Sequence, residues 1–191
     1  MKKALLVALL LIPIMGQRNM VRLEEYGVIL HAIMPDGQEA NGSGVFIENN
    51  LILSAKHLYF EGARYFTDKE HTVEVVVVKV DTGYDLMLLY ADGKHKYAKL
   101  GPTPKKLDVV YTVGYPLGAT QVVVIGRIAD VSKGHILVDT TAVQGMSGGG
   151  IYNEDGRLVG IVSRSWGNEK FMVAPDSSAI KAFLGANLGA K

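Results

Sequence analysis

The segment Gly145-Met146-Ser147-Gly148-Gly149-Gly150 places a serine hydroxyl on a glycine-rich turn, a pattern that suits nucleophilic chemistry. Glycine lets the backbone bend sharply and turn amide N–H groups inward, where two of them can stabilise a developing oxyanion. A serine hydroxyl is a weak nucleophile until a neighbouring base removes its proton and a third group orients that base. The rest of the chain must therefore supply a base and an acid for Ser147.

The order of residues along the chain limits where the base can come from. All five histidines precede Ser147, at His31, His57, His71, His95 and His135. Gly145-x-Ser147-x-Gly149 also matches the serine motif of α/β-hydrolases, but that fold orders its triad Ser, acid, His and alternates strands with helices. An α/β-hydrolase would therefore lack its base here, and the order His, Asp, Ser remains.

His57 and Asp85 are the candidate base and orienting acid. His57 follows the run Leu51 to Lys56, where a strand would deliver its side chain to the rim of a sheet. Asp85 opens an apolar strand, so we expect its carboxylate to be partly buried and to need a donor such as an imidazole N–H. Taken singly, His57 could be a surface histidine and Asp85 a turn residue after Gly83. Together with Ser147, in this order, they favour a catalytic triad.

Other chemistries have little support in the sequence. The histidines are scattered, cysteine is absent and no His-Glu-x-x-His segment occurs, so we predict no metal site and no cofactor. The 191 residues are 48% hydrophobic and 20% charged, as in a globular chain. A net charge of +1 without a basic stripe argues against a nucleic-acid partner.

The first 16 residues have the pattern of a secretory signal peptide. Met1-Lys2-Lys3 forms a basic start, and the apolar run from Ala4 to Met15 would cover only about 18 Å of helix, against roughly 30 Å of membrane hydrocarbon. Ile14-Met15-Gly16 is a poor cleavage site, so an uncleaved membrane anchor or a buried strand stays as the alternative. We predict an exported protein, periplasmic or secreted, whose only membrane contact is this leader.

Short apolar runs with a period of two dominate the chain after residue 26 and predict an all-β fold. The clearest predicted strand spans residues 72–80, where Val75-Val76-Val77-Val78 supplies β-branched side chains. Only the end of the chain has a helical pattern, with Asp176 as the predicted N-cap. The elements therefore predict an antiparallel barrel or sandwich with a terminal helix.

The segment Leu100-Gly101-Pro102-Thr103-Pro104-Lys105-Lys106 has the composition of a linker. It divides the chain after the leader into two comparable halves. We predict an N-terminal barrel over residues 17–104 and a second barrel with the terminal helix over residues 105–191.

Five motifs occur in an order that is known from one family. They are Gly42-Ser43-Gly44-Val45-Phe46-Ile47, Leu53-Ser54-Ala55-Lys56-His57, Tyr84-Asp85-Leu86-Met87-Leu88-Leu89, Val113-Gly114-Tyr115-Pro116-Leu117-Gly118 and Gly145-Met146-Ser147-Gly148-Gly149. Together they resemble the chymotrypsin-like serine proteases, and within them the bacterial HtrA/Deg branch. The resemblance implies two antiparallel six-stranded β-barrels with an active site in the cleft between them.

The resemblance also implies a role for each residue that matches a family motif. His57 would act as general base and then acid, Asp85 would orient it, and Ser147 would be the nucleophile. The backbone N–H groups of Gly145 and Ser147 would form the oxyanion hole. The substrate would be held by two sets of residues: Thr141 and Ala142 at the specificity pocket, and Ser163, Arg164 and Ser165 on a strand edge that pairs with extended peptide.

Three features depart from better-known members of this superfamily. Met146 stands where digestive proteases carry the aspartate that pairs with a new N-terminus, so that route of activation is not expected. Thr141 replaces the acid in the pocket of trypsin, so we predict an uncharged, small aliphatic residue before the scissile bond. After Pro175 only 16 residues remain, so we expect a protease domain without the PDZ module of HtrA enzymes.

The sequence thus predicts a serine endopeptidase that hydrolyses extended or unfolded polypeptide through an acyl-enzyme. The alternative is a non-catalytic pseudoprotease that binds peptides in the same cleft, although such a protein does not need a complete triad. A narrower role in processing one partner, or the chain's own leader near residues 16 to 22, fits the same residues. Because HtrA-like enzymes are commonly trimers, the resemblance also allows a homo-oligomer.

Overall fold

The computed structural model describes residues 23–68, 72–167 and 170–185. The predicted leader, residues 1–16, lies outside these residues. Within them the chain forms thirteen β-strands, three short 3₁₀ turns and one α-helix, which confirms the predicted all-β class. No helix in this part of the chain is long and apolar enough to cross a membrane.

The first six strands close into an antiparallel barrel, as predicted. They are β1 (Gly27–Ile33), β2 (Glu39–Glu48), β3 (Leu51–Ala55), β4 (Arg64–Phe66), β5 (Glu74–Val80) and β6 (Leu86–Ala91), paired in the order β1-β2-β3-β6-β5-β4. β1 also pairs with β4, which closes the ring. In the predicted valine strand Val75 is buried whereas Val76 is 63% exposed, the alternation expected of a strand with one face on the core.

The second half of the protein is a seven-stranded antiparallel sheet. Its strands are β7 (Val109–Gly114), β8 (Val122–Ser132), β9 (His135–Val138), β10 (Gly150–Tyr152), β11 (Leu158–Ile161), β12 (Arg164–Trp166) and β13 (Phe171–Pro175), in the order β11-β10-β7-β8-β9-β13-β12. The sheet curls until Gly160 and Asp176 form an isolated bridge. It is therefore a half-closed barrel with β12 as an additional edge strand, whereas the resemblance implied six strands in a closed ring.

The helix α1 (Ser177–Leu184) begins where the sequence predicts it. The Asp176 carboxylate accepts hydrogen bonds from the backbone N–H groups of Ser178 and Ala179, at 2.7 and 3.0 Å. Such an N-cap satisfies amides that a helix leaves unpaired in its first turn. The helix buries Ile180 and Phe183.

One apolar cluster joins the two halves. It contains residues of the barrel, the half-closed sheet and the helix, among them Leu53, Leu86, Tyr152, Leu158, Ile180 and Phe183. Because these apolar side chains are buried together, they fix the barrel against the sheet. Any site built from both halves is therefore held by a shared core. The predicted linker lies in the connection between β6 and β7, and a domain boundary at residue 104 stays a prediction.

Candidate active site

His57 and Asp85 lie together because two paired strands meet at the same rim of the barrel. β3 and β6 are antiparallel neighbours, with Ala55 opposite Leu86. His57 occupies the 3₁₀ turn Lys56–Leu58 that follows β3, rather than the strand end itself, and Asp85 directly precedes β6. Asp85 has a φ of 58°, a left-handed conformation that aspartate adopts more readily than most residues.

The Asp85 carboxylate is bound from several directions. Its Oδ2 accepts a hydrogen bond from His57 Nδ1 at 2.9 Å, and its Oδ1 accepts one from the His57 backbone N–H at 2.9 Å. Ser163 Oγ donates a further hydrogen bond to Oδ2. The Lys56 backbone N–H donates to the Asp85 carbonyl at 3.1 Å. The imidazole is thus fixed relative to the carboxylate by contacts of both backbone and side chain.

These hydrogen bonds determine the charge of Asp85. Partial burial would raise the pKa of its carboxyl group, but the hydrogen bonds from His57 and Ser163 outweigh burial and lower that pKa below its ordinary value. Asp85 is therefore ionised at neutral pH. Because an ionised carboxylate can only accept hydrogen bonds, His57 Nδ1 carries the proton and Nε2 is free to act as a base. The His57 side chain is 44% exposed, and the residue lines a surface pocket.

Ser147 lies in a turn that its glycines make possible. Gly145 and Gly148 have φ values of 92° and 84°, which other residues rarely adopt. The Met146 N–H donates to the Val143 carbonyl at 3.0 Å, and the Gly148 N–H donates to the Val162 carbonyl at 2.8 Å. The hydrogen bond from Gly148 connects the Ser147 turn to Val162. The next residue, Ser163, donates its hydroxyl to Asp85.

Ser43 connects this turn to the barrel, a role that we did not predict from the sequence. Its backbone N–H donates to the Ser147 carbonyl at 2.7 Å, and its Oγ donates to the Gly145 carbonyl at 2.7 Å. The Tyr115 N–H donates to the same Oγ at 2.9 Å. The available signal was a serine between two glycines inside an apolar strand, because a buried hydroxyl needs partners.

Gly42 lies between the turn that carries His57 and the turn that carries Ser147. A Cβ atom at Gly42 would lie 2.2 Å from Leu58 Cδ1 and 3.2 Å from the Ser147 carbonyl oxygen. The turn that carries His57 and the turn that carries Ser147 therefore both pack against this glycine. The structure gives no hydrogen bond between the side chains of His57 and Ser147 within the described residues, a contact that often tightens only when substrate binds.

Two backbone N–H groups, those of Gly145 and Ser147, are not used by the hydrogen bonds of this turn. The Gln144 carbonyl accepts a hydrogen bond from the Leu117 N–H at 2.7 Å. In a trans peptide the N–H points away from the carbonyl, so the Gly145 N–H is directed away from Leu117. Among the described residues, neither Gly145 N–H nor Ser147 N–H has a hydrogen-bond partner. The arrangement suits an oxyanion, which needs unpaired donors fixed in advance.

The predicted substrate residues fall into two groups. Ser163 and Arg164 line a pocket of about 640 Å³ together with His57 and Asp85. Arg164 and Ser165 belong to β12, which pairs only with β13 in the described sheet and leaves its other edge open. Thr141 is exposed, and Ala142 packs against the apolar cluster that contains Met172. Neither Thr141 nor Ala142 lines the 640 Å³ pocket.

Ser163 has a second role that its predicted position on the strand edge did not reveal. The residue is 4% exposed and precedes β12 rather than lying on it. Its hydroxyl points to Asp85, so it helps to fix the carboxylate. No group of three or more His, Cys, Asp or Glu side chains in the described part of the chain could hold a metal ion.

Gly148→Ala is expected to lower the free energy of unfolding by about 3 kcal/mol or more, as measured by urea denaturation. Its φ of 84° disfavours any side chain, and the new Cβ would lie 2.1 Å from the Ser43 carbonyl oxygen and 2.2 Å from Ser54 Oγ. Gly37→Ala is the matched control, because Gly37 has a φ of 83° with no neighbour within 4 Å. We expect Gly37→Ala to lower the free energy of unfolding by only about 1 kcal/mol, because a side chain disfavours this backbone conformation. Equal losses in the two variants would contradict the crowding at Ser43.

A barrel and a half-closed barrel that bring a His–Asp pair beside a glycine-flanked serine define the chymotrypsin-like class of protease fold. The family model of the trypsin-like peptidase domain matches residues 42–161. This segment makes up more than half of the chain and includes His57, Asp85 and Ser147. The chain therefore belongs to the family of trypsin-like peptidase domains.

Known proteins support the same assignment. Protease Do-like 2, chloroplastic, from Arabidopsis thaliana is 29% identical over 150 residues, which cover 69% of this chain and 25% of that protein. A probable periplasmic serine endoprotease, DegP-like, from Rhizobium meliloti (strain 1021) is 30% identical over 161 residues, which cover 74% of this chain and 32% of that protein. The predicted resemblance to the HtrA/Deg branch is confirmed. This chain spans about a third or less of the length of these relatives.

A solved structure supports the fold. The Rv3671c protease from M. tuberculosis, in its active form, superposes with a TM-score of 0.77 at 18% identity, covering 91% of this chain and 85% of that one. At this identity the likeness shows the fold alone. The predicted chymotrypsin-like fold is confirmed.

Proposed function

We propose that this chain is a serine endopeptidase that hydrolyses extended or unfolded polypeptide through His57, Asp85 and Ser147. The observation that carries this proposal is the hydrogen bond of 2.9 Å between His57 Nδ1 and Asp85 Oδ2, because it leaves Nε2 as a base in the cleft shared with Ser147. The two unpaired N–H groups of Gly145 and Ser147 support the same reaction. Membership of the trypsin-like peptidase domain family supports the class of reaction.

The proposed reaction has two halves. His57 Nε2 takes the proton of Ser147 Oγ as this oxygen attacks the scissile carbonyl, and the Asp85 carboxylate stabilises the imidazolium that forms. The carbonyl oxygen gains negative charge, which the Gly145 and Ser147 N–H groups stabilise. The imidazolium then protonates the leaving amine, and the acyl-enzyme remains. A water gives its proton to Nε2, attacks the ester and releases the acid, and His57 returns a proton to Ser147.

The open edge of β12 supports an extended substrate. Backbone groups of Arg164 and Ser165 on this edge can pair with a peptide strand, and such pairing depends little on side chains. We propose that Thr141 and Ala142 border the pocket for the residue before the scissile bond. Because Ala142 packs against an apolar cluster and Thr141 carries no charge, an uncharged residue of small size suits this position.

A fluorophosphonate probe tests the proposed nucleophile directly. We expect one covalent adduct on Ser147 of the wild-type protein, detected by mass spectrometry of its peptides, because the probe reacts with an activated serine hydroxyl. Ser147→Ala should abolish the adduct, and His57→Ala should reduce it to the level of an unactivated serine. Unchanged labelling of His57→Ala would contradict the assigned base.

The competing proposal is a pseudoprotease that binds peptides without cleaving them. Binding of an unfolded casein fragment without its hydrolysis, together with no labelling of Ser147, would favour that alternative. The hydrogen bond between His57 Nδ1 and Asp85 Oδ2 argues against a pseudoprotease, because it fixes the tautomer of His57, and a groove that only binds peptides needs no fixed tautomer. We also propose export, supported by the relative described as periplasmic, which fractionation of expressing cells would test.

A further inference from the structure

We propose that the pocket beside His57 is a cationic subsite, built by Lys56 and Arg164, that binds an acidic side chain at the second residue before the scissile bond. This inference rests on the proposed function, because it needs a peptide in the cleft. It adds a charge preference to a site whose other predicted pocket, at Thr141, takes an uncharged residue. Recognition would therefore use two neighbouring substrate residues of different chemistry.

The pocket has a volume of about 640 Å³ and is bordered by both halves of the protein. Lys56 and His57 come from the 3₁₀ turn after β3, and Arg164 comes from β12. Tyr59, which is 42% exposed, also lines the pocket, and an aromatic residue offers apolar surface to the methylene groups of a glutamate. Thr82 and Gly83 also line the pocket.

The positive charge of this pocket is not used within the described protein. Neither the Lys56 side chain nor the Arg164 side chain has an ion pair or a hydrogen bond among the residues described. The carboxylate that lines the pocket, Asp85, already accepts hydrogen bonds from the His57 ring, the His57 backbone and Ser163. The residues that line the pocket thus include two cations, Lys56 and Arg164, and one anion, Asp85. The excess positive charge favours an anionic ligand.

The carboxylate of Asp81 is near in sequence but lies outside the lining of this pocket. It accepts a hydrogen bond from the Gly83 backbone N–H at 3.0 Å and another from the Tyr84 backbone N–H. Asp81 is therefore engaged by the backbone of its own turn, and it is not among the residues that line the pocket.

The alternation of an extended chain selects the substrate position. Successive side chains of a strand point to opposite faces. If the residue before the scissile bond enters the pocket at Thr141 and Ala142, the preceding residue points to the other side, where His57 and Lys56 lie. Arg164 on the pairing edge is then within reach of the same side chain. The third residue before the bond points away and serves as an internal control.

Paired peptides test this inference. One pair carries Glu or Gln at the second residue before the scissile bond, the other carries Glu or Gln at the third, and mass spectrometry verifies the bond that is cut. At the second position we expect kcat/KM for the Glu peptide to exceed that for the Gln peptide by about five- to twenty-fold, because the glutamate would form two exposed ion pairs, with Lys56 and Arg164. At the third position we expect a much smaller difference. The preference should fall at high salt, because exposed charges are screened.

Three variants identify the groups responsible. Lys56→Gln and Arg164→Gln should each lower the Glu/Gln ratio of kcat/KM several-fold, and a ratio is insensitive to any general loss of activity. Lys94→Gln is the matched control, because it removes an exposed lysine at the other end of the barrel. The next residue, His95, donates its backbone N–H to Asn49, which precedes β3, whereas Lys56 follows β3. This variant should leave the Glu/Gln ratio unchanged. A ratio near one in the wild type, or a ratio unaffected by both pocket variants, would overturn the subsite.

Binding separates this inference from the proposed function. The same peptides are titrated against the Ser147→Ala protein, and their Kd values are measured by fluorescence anisotropy. If no peptide is hydrolysed by the wild type but Glu still binds several-fold more tightly than Gln at the second position, the endopeptidase proposal fails and the cationic subsite stands. If peptides are hydrolysed without any charge preference, the endopeptidase stands and the subsite fails.

Discussion

His57→Ala and Ser147→Ala are each expected to lower kcat for a peptide substrate by about 10⁶-fold, with the double variant no slower than either single variant. In the proposed reaction the two side chains act in one step, since Ser147 Oγ attacks only as His57 Nε2 removes its proton. When either group is absent, the other has nothing to act on. The residual rate then comes from substrate binding and from the N–H groups at Gly145 and Ser147, which neither substitution removes.

Single-turnover kinetics with a fluorogenic peptide would measure these losses without interference from product release. Ser132→Ala and His95→Ala are matched controls. Ser132 is exposed at the end of β8. The His95 ring stacks on the Phe46 ring with centroids 4.0 Å apart, and its backbone N–H bonds to Asn49, which precedes β3 whereas His57 follows it. Both should stay within a few-fold of wild type. Multiplicative losses in the double variant would mean that His57 and Ser147 act independently, contrary to the proposed reaction.

Asp85→Asn is expected to lower kcat by about 10⁴-fold while the protein stays folded. The Asp85 oxygens accept hydrogen bonds from His57 Nδ1, the His57 backbone N–H and Ser163 Oγ, so every contact requires an acceptor. An amide has only one acceptor oxygen. If its NH₂ group faces His57 Nδ1, the imidazole takes the other tautomer, and a protonated Nε2 cannot remove the proton of Ser147.

The asparagine variant is a clean substitution because it keeps size and backbone preference. Asp85 has a φ of 58°, and asparagine tolerates this left-handed conformation as well as aspartate does. Asp92→Asn is the control, since Asp92 caps its own turn by accepting from the Gly93 N–H at 2.8 Å. A loss of activity in Asp85→Asn of less than tenfold would show that the carboxylate does not set the tautomer of His57.

Acid titration of stability provides an independent readout for Asp85. Because folding lowers the pKa of this carboxyl group, ionised Asp85 stabilises the protein above an unfolded-state pKa of about 3.9. That contribution is lost as the pH falls through the lower pKa of the folded state. The Asp85→Asn variant should lack this part of the acid sensitivity in urea unfolding, whereas Asp92→Asn should keep it.

The sequence by itself was sufficient for the all-β class, for the valine strand that became β5 and for the family. Strand formation depends on local patterning: Val75 to Val78 are β-branched and alternate between core and solvent, and the Asp176 N-cap needs only the amides of the next turn. The triad candidates could be found for a different reason. Their order, with no histidine after Ser147, excluded the other serine-hydrolase arrangement.

Only the tertiary structure decided the contacts between residues far apart in the chain. Ser43 binds the carbonyl groups of Gly145 and Ser147, and Ser163 binds Asp85, yet no periodicity marks either serine for these partners. Other features likewise depend on how the two halves pack. They are the open edge of β12, the unpaired N–H groups of Gly145 and Ser147, and the pocket that Lys56 and Arg164 share. Local propensity acts over a few residues, whereas these features arise from burial of a common core that joins segments about a hundred positions apart.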